Sequence, residues 1–169
     1  MGADQEEMMG LPKRKRNRLK AYDYRAPRAY FVTVCVKEHR NLLGEVTAGA
    51  DVGIGPRVVL SERGAVVERY VKTIPGVVDY VIMPNHLHLY LEIPDSEQGP
   101  MWASAPTQSL SDRIRSFKIM VTKAVGESLF QRSFYDHVVR NEEDALRIRQ
   151  YIRENPAKWQ EDRFYQKGM

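Results

Sequence analysis

Two histidines stand one residue apart in the otherwise apolar run VIMPNHLHLYLEI. Side chains alternate between the two faces of a strand, so His86 and His88 share one face while Leu87, Leu89 and Leu91 share the other. Two imidazoles about 6.5–7 Å apart at the backbone can converge on one cation, and imidazole is the commonest protein metal ligand. Three interpretations stay open: histidines hydrogen-bonded on a half-exposed face, a metal site, or a general base with its helper.

A second candidate segment is LRIRQYIRENPAKW, which places Tyr151 and Asn155 four residues apart on one helix face. We expect Asn155 to lie at a frayed helix end before Pro156, with its amide oxygen pointing outward. A helical tyrosine more often packs against a core than acts as a nucleophile, and Ile148 and Ile152 supply an apolar stripe beside it. The alternative is that this tyrosine and asparagine join the histidine pair in one site.

Such a combination suits phosphoryl transfer. Two imidazoles and a neutral amide oxygen leave a divalent ion most of its charge and open positions for a phosphate oxygen. A tyrosine hydroxyl titrates near pH 10 and attacks only when it is deprotonated or aimed at a polarised phosphorus. Its attack on a phosphodiester gives a covalent phosphotyrosine and a free 3′ hydroxyl, so rejoining needs no ATP. A hydrolytic nuclease would use water and would not need Tyr151.

Several strands and turns must position these residues. AYFVTVCVKEH and SFYDHVV have the composition of strands, and the apolar pieces at 42–46 and 57–60 predict a hairpin. VVDYVIM is a nearly continuous apolar strand, which predicts a central place in its sheet. Pro84 and Asn85 predict a tight turn before the histidine strand.

Three helices are expected between and after these strands. Ser61 caps the first, which runs to about Ile74, and Ser109 or Ser111 begins the second. Asn141 caps the last helix, which Pro156 ends because the residue before proline is pushed out of helical geometry. The element order predicts an α+β fold: a largely antiparallel, ferredoxin-like sheet with helices packed on it.

Charge is unevenly spread along the 169 residues, which have a formal net charge of +4. A run without any acid contains Lys13, Arg14, Lys15, Arg16, Arg18 and Lys20. Such a run is typical of a phosphate-seeking arm or of a solvated tail. We divide the chain into a flexible basic arm at 1–28 and one folded catalytic domain at 29–169.

Composition excludes several classes of protein. Cys35 is the only cysteine, which excludes an intramolecular disulfide and a thiolate zinc cluster and fits a reducing compartment. No segment is long and apolar enough for a membrane span, and the acidic N-terminus is unlike a secretory signal. We therefore expect a cytoplasmic protein without a membrane partner. Of the remaining histidines, His39 is most simply a surface residue, and His137 is a sheet-face histidine or a substrate contact.

VIMPNHLHLYLEI resembles the HUH motif (histidine, hydrophobic residue, histidine) of the single-tyrosine transposases that move insertion sequences through single-stranded DNA. The resemblance covers most of the chain. RLKAYDYRAPRAYFVTVCVKEHRNLLGEV is similar to that family's first strand and hairpin, and IRSFKIMVTKAV to its middle helix. QRSFYDHVVRNEEDALRIRQYIRENPAKW is similar to its closing strand and tyrosine helix. The pattern resembles in particular the REP-associated branch.

The resemblance implies roles for individual residues. His86 and His88 become metal ligands, Tyr151 the nucleophile, and Asn155 the third ligand, where related enzymes carry glutamine. It also implies magnesium or manganese, single-stranded or hairpin DNA as substrate, and cleavage through a 5′-phosphotyrosine. In some relatives the tyrosine helix serves the partner subunit's histidines, which implies a homodimer with shared active sites.

The DNA contacts and the rival functions rest on less specific patterns. Arg115 and Lys118 share a helix face that can track a DNA backbone or can be a solvated surface. The basic run, followed by Tyr22, Tyr24 and Arg25, offers charge and stacking side chains for unpaired bases. The alternative function is a domesticated sequence-specific nucleic-acid-binding protein without cleavage. A structural zinc protein is a weaker alternative, because cysteine partners are lacking.

Overall fold

The computed structural model describes residues 28–49, 55–93 and 108–166. Its elements in chain order are β1 Arg28–Cys35, β2 Gly44–Thr47, β3 Arg57–Leu60, α1 Glu62–Val71, β4 Val77–Ile82, β5 His86–Ile93, α2 Leu110–Val125, β6 Tyr135–Val138 and α3 Glu142–Glu154. Short 3-10 helices lie at Lys37–His39 and Asn155–Glu161. None of the helices in these ranges is long and apolar enough to cross a bilayer.

Four strands form an antiparallel sheet in the order β4-β5-β1-β6, and β2 pairs with β3 in a separate hairpin. β1 pairs along its whole length with β5, so that Thr33 lies opposite His88 and Cys35 opposite His86. Without the hairpin, the first six main elements follow the βαββαβ order of ferredoxin-like folds. The predicted α+β, ferredoxin-like sheet with packed helices is therefore confirmed.

One face of the sheet carries the main hydrophobic core under α1 and α2. Leu87, Leu89 and Leu91 of β5 are completely buried in it, as their alternation predicts. All three helices begin where the sequence places a polar cap. Ser61, Ser109 and Asn141 each accept a hydrogen bond from a backbone N–H of the helix that follows. Each cap satisfies a donor that the first helical turn leaves unpaired.

α3 packs on the opposite face of the sheet. Ile148 and Ile152 form a smaller buried cluster there with Tyr90 of β5. Arg149 of α3 lies 3.5 Å from a carboxylate oxygen of Asp79 on β4, which ties the helix to the edge of the sheet. This packing brings the last turns of α3 over β5 and its histidines.

The predicted central position of β4 is wrong, because β4 lies at one edge of the four-stranded sheet. Its continuous apolar run has another cause. Ile82 faces the main core, whereas Val81 packs in the cluster under α3. An edge strand that is covered on both faces needs apolar side chains at consecutive positions, as a central strand does.

The predicted end of the last helix at Pro156 is also only partly right. α3 stops at Glu154, but Asn155 keeps helical angles (φ −56°, ψ −43°) and the chain continues as a 3-10 helix. Proline is tolerated in the first turn of that helix, because its missing N–H would have no intrahelical acceptor there. The continuation buries Trp159, which is 7% exposed.

Candidate active site

β5 presents His86 and His88 to the face of the sheet that α3 covers. His86 is fully buried and His88 is 2% exposed. Their Nε2 atoms lie 3.1 Å apart, with the ring centroids 4.6 Å apart. The convergence that the alternation predicts is present in the structure.

The side chain of Asn85 fixes the orientation of His86. Its amide nitrogen donates to the backbone carbonyls of His39 and Phe164, at 3.0 and 2.7 Å. The amide oxygen of Asn85 must therefore face Nδ1 of His86, 2.9 Å away, and that nitrogen donates to it. The lone pair of neutral His86 is left on Nε2, which points toward His88.

Burial keeps both imidazoles neutral. Removal from water is the main cause that lowers the pKa of His86 to about 3, with smaller contributions from His39 and Arg163. The pKa of His88 is well below its usual range, again mainly because of burial. Thr33 holds the Nδ1 of His88 at 2.8 Å. Neutral imidazoles offer the lone pairs that a metal ligand needs.

Tyr151 of α3 lies at the opening of this cluster. Its hydroxyl is 3.5 Å from Nε2 of His88 in the same chain, while 41% of the residue is exposed. Burial of the hydroxyl and the charge of Asp162 raise the pKa of Tyr151, whereas a hydrogen bond with Asn155 and the charge of Arg163 lower it. Because the pKa of Tyr151 is raised overall, the phenol keeps its proton at neutral pH.

Asn155 is placed differently from the prediction. The residue is 2% exposed, so its amide oxygen does not point outward. That oxygen is buried without a hydrogen-bond partner in the part of the chain that the structure describes. A buried unsatisfied acceptor costs about 1–3 kcal/mol, so this oxygen needs a partner. The role of Asn155 as a metal ligand stays a prediction.

Asp162 is a candidate site residue that the sequence pattern did not indicate. It caps the 3-10 helix after α3, and its side chain is 5% exposed. Its Oδ2 lies 3.9 Å from Nε2 of His86, and its Oδ1 accepts the backbone N–H of Phe164 at 2.7 Å. No periodic pattern links this residue to the histidines, since the contact arises from the turn of the chain after α3.

The donor atoms fit a divalent cation. Ligand atoms of His86, His88 and Asp162 all lie within 4.8 Å of one another. In an octahedral shell with ligands at about 2.0–2.1 Å, adjacent ligand atoms are about 3 Å apart and opposite ones about 4.2 Å. The 3.1 Å separation of the two imidazoles matches an adjacent pair. The unpaired buried oxygen of Asn155 adds to this fit.

The segment after α3 packs across the histidines. The ring centroid of Phe164 lies 4.8 Å from that of His86 and 5.2 Å from that of His39. The expectation that His39 is a simple surface residue is therefore wrong, because its ring is half-buried in this stack. The guanidinium of Arg163 lies over the rings of Phe164 and Tyr135, at 4.4 and 5.5 Å. A positive charge thus stands beside the opening of the site.

The residues predicted to contact DNA do not converge on this site. Arg115 and Lys118 lie on α2, which packs on the opposite face of the sheet. The ammonium of Lys118 donates to the backbone carbonyls of Gln131 and Ser133, at 2.8 and 3.1 Å. The basic run at 13–20 and the aromatic residues after it lie outside the described residues. Their contacts with DNA stay predictions.

His137 and Cys35 lie outside the histidine cluster, and their contacts indicate structural roles. His137 hydrogen bonds to Asp144 at 2.8 Å, which matches the sheet-face interpretation. Bonds from His137 and then Arg147 are the main causes that lower the pKa of Asp144 to about 2. Burial raises the pKa of Cys35 to about 11, so this thiol is a poor nucleophile.

No family model matches the sequence. A Haemophilus influenzae (strain ATCC 51907 / DSM 11121 / KW20 / Rd) protein named "Uncharacterized protein" is 31% identical over an alignment of 178 positions, which covers 92% of this chain and 95% of that protein. A second protein of that strain, named "Putative REP-associated tyrosine transposase", is 28% identical over 82 residues, or 46% of this chain and 47% of the other. A solved REP-associated tyrosine transposase bound to a REP hairpin shares the fold, with a TM-score of 0.56 at 20% identity, over 83% of this chain and 73% of that one.

A ferredoxin-like sheet with a His-x-His strand and a tyrosine helix packed over it is the arrangement that the resemblance to single-tyrosine HUH proteins implies. In part of its sequence and in its fold, the chain is similar to REP-associated tyrosine transposases.

Proposed function

We propose that the protein is a metal-dependent, single-strand-specific DNA endonuclease and strand transferase that acts on hairpin-containing DNA through a 5′-phosphotyrosine. The position of Tyr151 carries the proposal. Its hydroxyl lies 3.5 Å from His88, and 41% of the residue is exposed. A tyrosine that only packs would be enclosed, and a simple surface tyrosine would not reach a buried imidazole. The REP hairpin in the solved relative's complex suggests the class of substrate.

The reaction exchanges one phosphodiester for another. The Tyr151 hydroxyl gives up its proton, its oxygen attacks the phosphorus, and the bond to the 3′ oxygen breaks. The 3′ oxygen takes up a proton and leaves as a hydroxyl, while the 5′ phosphate stays on the tyrosine. Attack by a 3′ hydroxyl on this phosphotyrosine restores the tyrosine and joins the strands. Because the bond energy is conserved in the intermediate, no ATP is consumed.

The surrounding residues hold the phosphate and the phenol. His86, His88 and Asn155 would hold Mg²⁺ or Mn²⁺, which polarises the scissile phosphate when bound. Asn155 also hydrogen bonds with Tyr151 and so orients it, and the nearby charge of Arg163 favours the phenolate. Since Tyr151 reaches a histidine of its own chain, this chemistry does not require a homodimer with shared sites.

Replacing the nucleophile tests the proposal. Wild-type protein, Tyr151→Phe and Tyr135→Phe are incubated with labelled single-stranded DNA carrying a hairpin, with Mn²⁺ or with chelator. Tyr135 is a matched control, because it is 44% exposed on β6 beside Arg163. We expect a covalent protein–DNA band on a denaturing gel for the wild type and for Tyr135→Phe with Mn²⁺, and none for Tyr151→Phe.

Two results contradict the proposal in different ways. A covalent band that persists in Tyr151→Phe excludes this tyrosine as the nucleophile. A wild-type protein that shifts the hairpin in a native gel, yet forms no covalent band with either metal, is instead the nucleic-acid-binding protein without cleavage.

A further inference from the structure

We propose, on the basis of the function above, that Asp162 is a protein ligand of the same cation. The carboxylate would come from the segment that follows α3, in addition to the two imidazoles of β5. The metal site would then depend on the C-terminal segment as well as on the histidine strand. This assignment extends the ligand set of His86, His88 and Asn155.

The distances between the three ligand atoms support this assignment. The two imidazole Nε2 atoms are 3.1 Å apart, and Oδ2 of Asp162 lies 3.9 Å from Nε2 of His86. Both separations lie within the range of about 3–4.2 Å between ligand atoms of one octahedral shell. All three ligand atoms lie within 4.8 Å of one another, so a shift of well under 1 Å would place them around one ion.

Charge is the second argument. The side chain of Asp162 is 5% exposed, and the ion-pair partner that the structure gives it among the described residues is His86. The guanidinium of the adjacent Arg163 lies over the rings of Phe164 and Tyr135. Burial of a carboxylate is costly unless a cation compensates its charge, and a divalent ion among these ligand atoms would do so.

Hydrogen bonds hold the carboxylate of Asp162 and the ring of His86 in fixed orientations. Oδ1 of Asp162 accepts the backbone N–H of Phe164, which leaves Oδ2 on the side of the histidines. The carbonyl of Phe164 accepts the amide of Asn85, and the oxygen of the same amide accepts Nδ1–H of His86. One buried side chain therefore orients a histidine ligand and holds the segment that supplies the carboxylate. Such outer hydrogen bonds are typical of metal ligands in proteins.

A carboxylate changes what the site can bind. One negative charge raises the affinity for a hard divalent cation and still leaves a net positive charge for the phosphate. In this ligand set Asp162 supplies the negative charge. Asn155 is a neutral amide, and its hydrogen bond with Tyr151 is a separate role.

Direct measurement of metal binding tests the assignment without relying on activity. Mn²⁺ titrations followed by electron paramagnetic resonance are made on the wild type, Asp162→Asn, Glu161→Gln and the double variant His86→Ala/His88→Ala. Glu161 is the preceding, exposed acid in the chain, so its variant loses the same charge outside the cluster. We expect Mn²⁺ affinity to fall at least about tenfold in Asp162→Asn, to stay within about twofold in Glu161→Gln, and to be lost in the double variant.

The outcomes separate this assignment from the proposed function. If the wild type does not bind Mn²⁺, the metal-dependent function itself fails. If the wild type binds Mn²⁺ and Asp162→Asn binds it equally well, only the ligand role of Asp162 is overturned. That result, together with a shifted pH profile of adduct formation, would make Asp162 a proton acceptor for Tyr151 instead.

A second variant keeps the test valid if Asp162→Asn folds poorly. A thiolate at position 162 should make the site prefer soft cations, whereas a carboxylate makes it prefer hard ones. Asp162→Cys is therefore expected to bind Cd²⁺ more tightly than the wild type and Mn²⁺ more weakly. Unchanged affinities for both metals would overturn the ligand assignment.

Discussion

The two faces of β5 differ in what their residues do, although they alternate one residue at a time. The leucine face lies in the main core under α1 and α2. The histidine face lies under α3 with a smaller apolar cluster; its buried imidazoles lie close to a buried amide and a buried carboxylate from the segment after α3. A single strand can thus contribute hydrocarbon to the core on one face and polar groups to a candidate site on the other, because adjacent side chains point into different environments.

The histidine face is also held by other means than the leucine face. Hydrocarbon packing stabilises the leucine face and has no directional requirement. The histidine face depends on individual hydrogen bonds, such as those of Asn85 to His39, Phe164 and His86. Substitutions on the leucine face are therefore expected to lower stability, and those on the histidine face to remove activity.

The largest expected difference is between His88→Ala and Leu89→Ala, two adjacent truncations of buried side chains. Leu89→Ala should lower the free energy of unfolding by about 2–5 kcal/mol, measured by urea denaturation, and should still form adduct where it remains folded. His88→Ala should unfold cooperatively yet give no covalent band with hairpin DNA. Adduct formation by His88→Ala, or its loss in folded Leu89→Ala, would contradict the different roles of the two faces.

A smaller effect is expected from Asn85→Ala. The change leaves two backbone carbonyls and the Nδ1–H of His86 without their partner, at about 1–3 kcal/mol for a buried group left unsatisfied. Hydrogen exchange should become faster in residues 155–166, because Phe164 is released. Asn41→Ala is the matched control: it removes an exposed 3.4 Å bond to Gln166 and should change stability by less than about 0.5 kcal/mol. Equal exchange in both variants would contradict the role of Asn85.

The smallest effect is expected from Asp144→Asn, because Asp144 is polar but lies outside the histidine cluster. Its pKa of about 2 is below its ordinary value of 3.8, mainly because of the hydrogen bond from His137. The carboxylate therefore stabilises the fold above about pH 4 and loses this effect as pH falls toward 2. Asp144→Asn should show a flatter decrease of the urea midpoint over that range, with unchanged adduct formation at neutral pH.

The exposed neighbour Glu143→Gln is the control for that series, and its pH dependence should match that of the wild type. Loss of adduct formation in Asp144→Asn at neutral pH would mean that the chemistry of this face extends beyond the histidine cluster.

The elements that local pattern determines could be predicted from the sequence. Alternation along β5 assigned the two faces, and the polar caps Ser61 and Asn141 marked helix starts, because both signals depend on neighbouring residues. The edge position of β4 could not be predicted, since an apolar run indicates that both faces of a strand are covered but not whether another strand pairs with each of its edges. The residues around Asn85 predict only a turn, and those around Asp162 predict no role, because the contacts that matter join segments far apart in the sequence.

The tyrosine helix reaches the histidines of its own polypeptide, with the hydroxyl of Tyr151 3.5 Å from His88. Under the proposed function, one molecule therefore carries both the nucleophile and the metal ligands. Two inactive variants, each defective in a different one of these groups, could not complement each other when mixed. An inactive variant would likewise not inhibit the active protein when the two are mixed. Activity would rise in proportion to the amount of intact protein.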